Sequence, residues 1–158
     1  MFFTADQLVA HAVGDYLLQS DWMATEKVRR SVAALAHVLT YVLPFLLLTT
    51  SFWAILAIVV SHFVIDRWRL ARYVVWAKNF LSPWRLERSE PSDRRPAEVV
   101  GMIGPGGRRL APTAPPWSRC TATGYDEDRP AWLTVWLMIV ADNTLHVLCN
   151  GAALRWLA

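Results

Sequence analysis

The sequence predicts an all-α fold, a polytopic membrane bundle of about four helices with a long polar loop before the last. Three observations predict it. The 158 residues are 54% hydrophobic and only 18% charged, with a mean hydropathy of +0.26, whereas soluble domains run nearer a quarter charged. No Asp, Glu, Lys or Arg occurs from Ser31 to Ile65. Of the 16 Lys and Arg residues, all but Arg155 fall in two connections, Lys27–Arg30 and Arg67–Arg129. Two cysteines, Cys120 and Cys149, are too few for a disulfide framework.

The first helix is expected over about 4–19. Thr4 and Gln7 fit a capping box, and Phe3 and Leu8 fit the hydrophobic staple beside it. This helix is short for a full span and lacks the basic start of a cleavable signal peptide. The uncharged run from Ser31 would be about 52 Å long as one helix, well over the ~30 Å hydrocarbon core. It must therefore fold back, with Thr49-Thr50-Ser51 as the turn and helices over about 32–50 and 52–78. Pro44 kinks the first arm, and the second reaches the interface at Asp66-Arg67-Trp68-Arg69. Residues 82–129 hold seven of the nine prolines (83, 91, 96, 105, 112, 115, 116) and five of the seven glycines, which predicts an irregular loop. The last helix starts after Pro130 and runs to about 150. The whole chain, 1–158, reads as a single membrane domain.

The net charge of +3 and pI near 9.2 invite a nucleic-acid reading. The loop's charges are nearly balanced and carry no basic–aromatic interleaving, so no nucleic acid is expected. The positive-inside rule places the two basic connections in the cytoplasm. Asp21, Glu26 and Lys27 read as a solvated turn, with contact to a lipid headgroup or substrate phosphate as the alternative; Arg67, Arg69 and Arg72 read as a headgroup anchor, and Trp53, Trp68, Trp132 and Trp156 as belt residues.

The chemistry lies in what the apolar helices carry. All four histidines, His11, His37, His62 and His146, fall in predicted helices. Three have an aspartate four residues away, namely Asp15, Asp66 and Asp142, and that spacing puts each pair on one helix face. An ionised carboxylate at the centre of a spanning helix costs about 2.5–3.5 kcal/mol, so three of them need partners. Imidazole and carboxylate are the preferred ligands of divalent transition metals. His11, Asp15, His37, His62, Asp66, Asp142 and His146 are thus the candidate metal ligands, for one or two divalent ions (Zn, Mn or Fe). Asp15, Asp66 and Asp142 are also the candidate catalytic acids, one of them a general base if it is not a ligand. Gln19, Asn143 and Asn150 are expected to support the ligands by hydrogen bonds. Judged by depth along the helices, His146 fits a single site least well.

Four segments in order, His11-Ala-Val-Gly-Asp15-Tyr-Leu-Leu-Gln19-Ser-Asp21-Trp-Met-Ala, Ala36-His37-Val, Ser61-His62-Phe-Val-Ile-Asp66 and Ala141-Asp142-Asn143-Thr-Leu-His146, with Thr123-Gly124-Tyr125, resemble a bacterial and phage family of small multi-span membrane proteins, domain of unknown function 3307. The resemblance implies the bacterial inner membrane and a multi-span fold, and no activity. Ser61-His62-Phe-Val-Ile-Asp66 is also similar, more distantly, to inner-membrane metal-dependent hydrolases. The leading expectation is a membrane-embedded metal-dependent hydrolase acting on a lipid or phosphoester at the cytoplasmic interface. The alternatives are a non-enzymatic interaction protein whose 82–129 loop docks a cytoplasmic or phage partner, and a proton or divalent-cation conduit.

Overall fold

The structure is a computed structural model and describes residues 4–80, 85–87, 109–111, 117, 120–125 and 129–158. The fold is helical, as expected. Helix α1 spans Ala5–Ala12 and continues as a π-helical turn over Val13–Leu17; α2 spans Asp21–Glu26; α3 spans Ser31–Tyr41 and tightens into a 3-10 turn over Leu43–Leu47; α4 spans Phe52–Trp68; α5 spans Leu70–Phe80; and α6 spans Ala131–Trp156. Of the described helices, α6 is long and apolar enough to cross a bilayer, while Ser31–Leu47 is a shorter apolar run.

Local chemistry explains most boundaries. Thr4 Oγ1 accepts from the Gln7 amide at 3.2 Å, so half of the capping box forms. The Gln7 side chain does not reach back. It donates to the Val147 carbonyl of α6 at 2.7 Å and is buried. Phe3, the proposed staple residue, lies outside the described residues. Pro44 sits in the first turn of the 3-10 segment, where its missing N–H ends the α-helical ladder. Ser51 caps α4 by accepting from the Ala54 amide and also donates to the Leu157 carbonyl at the far end of α6.

Two elements differ from expectation. The single helix expected over 52–78 breaks at Arg69, which caps α4 in the left-handed conformation (φ 49°, ψ 52°) before α5 resumes. No Gly or Pro marks this break, so propensity could not reveal it. The solvated turn at 21–26 is helix α2, capped by Ser20. Most of the irregular loop expected over 82–129 lies outside the described residues. Strands β1 (Arg85–Glu87) and β2 (Arg109–Ala111) pair antiparallel, with Leu86 opposite Leu110. Trp117 stacks on Tyr73 of α5 with centroids 5.0 Å apart. Gly124, at φ +78°, lies so close to α5 that a Cβ there would be 2.2 Å from the Arg72 carbonyl. Arg72 covers the Trp117 ring and Arg67 donates to Ser31 Oγ and the Val28 carbonyl. These two arginines therefore hold the fold together.

Helix α6 is the axis, and α1, α4 and α5 pack on it while α3 packs on α4. Close approach relies on small residues: Ala33, Ala34, Ala54 and Ala71 are fully buried. Polarity is inverted relative to a water-soluble fold. Gln7, His11, His37, His62, Asp66, His146 and Asn150 are buried, while Leu17, Val32, Leu47, Phe52 and Trp132 are exposed. The apolar core (Ala10, Tyr41, Val42, Phe45, Ile58, Ala153) fills one end of the bundle. The histidines and aspartates fill the other.

Candidate metal centre

Four segments deliver the polar groups. The α1 stripe brings His11, and the π-helical turn after it brings Asp15. The π turn adds a residue per turn, and such turns recur at functional sites. Gly14 makes the approach to α3 possible, because a Cβ there would meet Tyr41 Cδ2 at 2.5 Å and the Tyr41 carbonyl oxygen at 2.9 Å. Helix α3 supplies His37, α4 supplies His62 and Asp66, and α6 supplies Asp142 and His146.

Four donor atoms converge. His62 Nε2 lies 3.0 Å from His37 Nε2. Asp15 Oδ1 lies 3.3 Å from His37 Nε2 and 3.5 Å from His62 Nε2, and Asp66 Oδ2 lies 3.2 Å from each. A tetrahedral ion with ligands at about 2.0–2.1 Å has ligand–ligand separations of about 3.3–3.4 Å. The five separations, 3.0–3.5 Å, lie close to that value. Each of the two facing histidine nitrogens also has both carboxylate oxygens within 3.2–3.5 Å.

The centre extends toward α6 through the second oxygen of Asp66. His146 Nε2 lies 3.8 Å from Asp66 Oδ1. Its other nitrogen, Nδ1, is 2.9 Å from the Asp142 carbonyl oxygen, which can only accept. Nδ1 therefore carries a proton, and Nε2 faces the Asp66 carboxylate with no hydrogen bond of its own among the described residues. In the neutral ring Nε2 is an acceptor, and a cation would fit between it and the carboxylate. His62, Asp66 and His146 form one potential ligand set and Asp15, His37 and His62 the other.

The remaining expected residues surround this set. His11 touches Asp15 Oδ2 at 3.5 Å, but its nitrogens are engaged: Nε2 donates to Asn143 Oδ1 at 2.7 Å and Nδ1 accepts from the Tyr41 hydroxyl at 2.9 Å. Tyr41 in turn accepts from Asn150 Nδ2 at 2.6 Å. Asn143 Oδ1 also accepts from the Tyr16 hydroxyl at 2.9 Å. Asp142 Oδ2 lies 3.7 Å from His146 Nδ1 and lines a cleft beside the centre. With its amide turned to satisfy both of its neighbours, Gln19 donates to the Asp15 carbonyl and accepts from Lys27 Nζ at 3.1 Å.

Three participants were not anticipated. Tyr41 is fully buried, with its ring 3.7 Å from that of His62, and nothing distinguishes it in sequence from a core aromatic. Gln7 was assigned to a cap. Lys27, for which the sequence suggests solvent or a phosphate contact, has its Nζ 2.9 Å from Asp66 Oδ2 instead. Nδ1 of His37 and of His62 is buried with no hydrogen-bond partner among the described residues. These two rings thus lack the outer hydrogen bond that commonly orients a metal-bound imidazole, and packing holds them instead.

A family model for proteins of unknown function, DUF3307, matches residues 3–84. The chain belongs to this family. No curated protein and no solved structure matches it. The DUF3307 match contains His11, Asp15, His37, His62 and Asp66, while His146 and Asp142 come from α6 beyond it.

Proposed function

We propose that this DUF3307 protein is a membrane-embedded metal-dependent hydrolase whose centre acts on a phosphoester, lipid-borne or soluble, at the cytoplasmic interface of the bacterial inner membrane. The observation that carries the reading is the convergence of His37, His62, Asp15 and Asp66 at separations of 3.0–3.5 Å. Asp15, His37, His62, Asp66 and His146 would hold one or two divalent ions (Zn, Mn or Fe), with Asp66 close to both groups of donors. His11 acts one step out, through Asp15, Tyr41 and Asn143. An ion held there polarises a phosphoryl or acyl oxygen and acidifies water. Asp142, which lines the cleft and belongs to neither converging set, is the carboxylate left to accept a proton.

The membrane setting rests on the inverted polarity. Leu47 is 88% exposed, Leu17 75% and Val32 72%, and each such side chain forgoes about 1.5–3 kcal/mol if it stays in water. Lipid removes that cost. Helix α6 crosses, and the apolar runs Ser31–Leu47 and Phe52–Trp68 form a hairpin beside it with the basic connections in the cytoplasm.

One observation favours a second reading, a structural or interaction protein whose polar cluster packs helices. Lys27 already supplies a cation to Asp66. Metal analysis of the detergent-purified full chain separates the two. The hydrolase reading expects at least one equivalent of a transition metal, lost in His62→Ala and kept in His11→Gln. Less than a tenth of an equivalent in both the parent and His62→Ala refutes it. The conduit reading has less support, because beyond Gln7, Tyr41 and Asn150 the described core is apolar, formed by Val42, Phe45, Ile58 and Ala153.

A further inference from the structure

A cleft of about 290 Å³ opens beside the centre, walled by the π turn (Asp15, Tyr16), α2 and its exit (Ala24, Lys27, Val28), the α4–α5 break (Asp66, Arg69) and α6 (Met138, Asp142, Asn143). Its floor is acidic and its wall carries two cations. Both cations are placed at some cost. Lys27 follows a short helix near the surface, where its chain could extend into water, but it turns inward and its side chain is only 18% exposed. Asp66 and Gln19 hold its ammonium at 2.9 and 3.1 Å. Arg69 has the one positive φ of a non-glycine among the described residues, a conformation that costs about 1–3 kcal/mol and that clusters at functional sites. The break it makes puts Arg69 on the cleft wall.

We infer that Lys27 and Arg69 form an anion seat, which holds the phosphate of the substrate against the ion of the His/Asp centre. This rests on the metal reading of that centre. A divalent ion on Asp66, His37 and His62 takes up the carboxylate charge that otherwise holds Lys27, and repels its ammonium across a few ångströms. Gln19 keeps the ammonium aimed at the cleft, where an anion is the partner it lacks. Charge explains the order of events. Asp15, Asp66 and Asp142 outweigh Lys27 and Arg69 by one negative charge (three against two), so the ion-free cleft repels phosphate. One divalent ion reverses the sign. Phosphate therefore binds only after metal. A neutral ester carbonyl has no use for two cations beside the ion, whereas a phosphoester has.

The test uses the full chain in phosphatidylcholine nanodiscs loaded with Mn²⁺, with inorganic phosphate as the probe read by ³¹P line broadening. Broadening is expected in the Mn²⁺-loaded protein, and equilibrium dialysis with radiolabelled phosphate, which needs no paramagnet, is expected to show uptake by the Mn²⁺-loaded protein and none by the metal-free protein. Lys27→Met and Arg69→Gln are each expected to weaken phosphate binding about 10- to 100-fold, the loss of a charge-assisted hydrogen bond, with Mn²⁺ stoichiometry unchanged. Nanodiscs doped with phosphatidic acid distinguish the source. Displacement of inorganic phosphate assigns the seat to a lipid headgroup, and persistence assigns it to a soluble phosphoester. If Mn²⁺ binds but the phosphate line stays sharp, or if both variants broaden it as the parent does, the anion seat is refuted and the metal centre stands. If the parent takes up no Mn²⁺, the centre fails and the seat fails with it.

Discussion

Replacing Gly14 with alanine tests whether the close approach of the π turn to α3 is what assembles the centre. The added Cβ would sit 2.5 Å from Tyr41 Cδ2, 3.0 Å from Cε2 and 2.9 Å from the Tyr41 carbonyl oxygen. Carbon atoms in good contact lie about 3.5–4.0 Å apart, so the ring or the helix must retreat by about 1 Å. The ring has nowhere to go, since Tyr41 is fully buried, lies 3.7 Å from the His62 ring and is held by Asn150 and His11. Overpacking costs about 1–3 kcal/mol, and disrupting the Tyr41 hydroxyl network adds about 1 kcal/mol. Alanine returns about 1 kcal/mol over glycine in a helical turn. The expected net loss is about 2 kcal/mol, or roughly 4–8 °C in the melting temperature of a chain of this size. Thermal unfolding in detergent, followed by near-UV circular dichroism, measures it. In the double variant with Tyr41→Leu the ring contacts vanish, so the two losses are expected to be non-additive by about 1 kcal/mol or more. A Gly14→Ala protein as stable as its parent, with metal content unchanged, refutes the close-approach argument.

Two further substitutions test other joints. Gly124→Ala adds a Cβ 2.2 Å from the Arg72 carbonyl at φ +78°. The positive φ alone costs about 1–2 kcal/mol, and the expected result is release of the 121–125 turn from α5, read as faster exchange of the Thr121 amide, which donates to the Tyr125 carbonyl. Asn150→Leu removes the donor to the Tyr41 hydroxyl and is expected to destabilise the fold by about 1–3 kcal/mol, measured by the same melting assay. An Asn150→Leu protein melting within 1 °C of the parent overturns the relay from Asn150 through Tyr41 and His11 to Asn143.

The membership of the site was legible because burial of polar groups is visible in a sequence whose helices are otherwise apolar. His11–Asp15, His62–Asp66 and Asp142–His146 do share helix faces, at 3.5, 3.2 and 3.7 Å. What spacing could not show is which partner each group uses. The shortest contacts run between helices: His37 to His62 at 3.0 Å, His37 to Asp66 at 3.2 Å and Lys27 to Asp66 at 2.9 Å. A same-helix pair constrains two side chains to one face. Only the packing of α3, α4 and α6 decides that His37 closes the cage while His11, with an equally good pair, turns its nitrogens to Tyr41 and Asn143.

Depth misled for a physical reason. Counting turns from Pro130 puts His146 well beyond Asp66, on the assumption that α6 begins level with the end of α4. It does not. The first turns of α6 extend past that end to pack on α5, which the Arg69 break redirects. His146 thereby comes level with Asp66, at 3.8 Å, with its ring 4.0 Å from that of His62. The same break, which no local signal announces, places α5 against α6 and Arg69 among the residues that line the cleft beside Asp66. Spacing within one helix cannot reveal such a break, because it depends on how α4, α5 and α6 pack together.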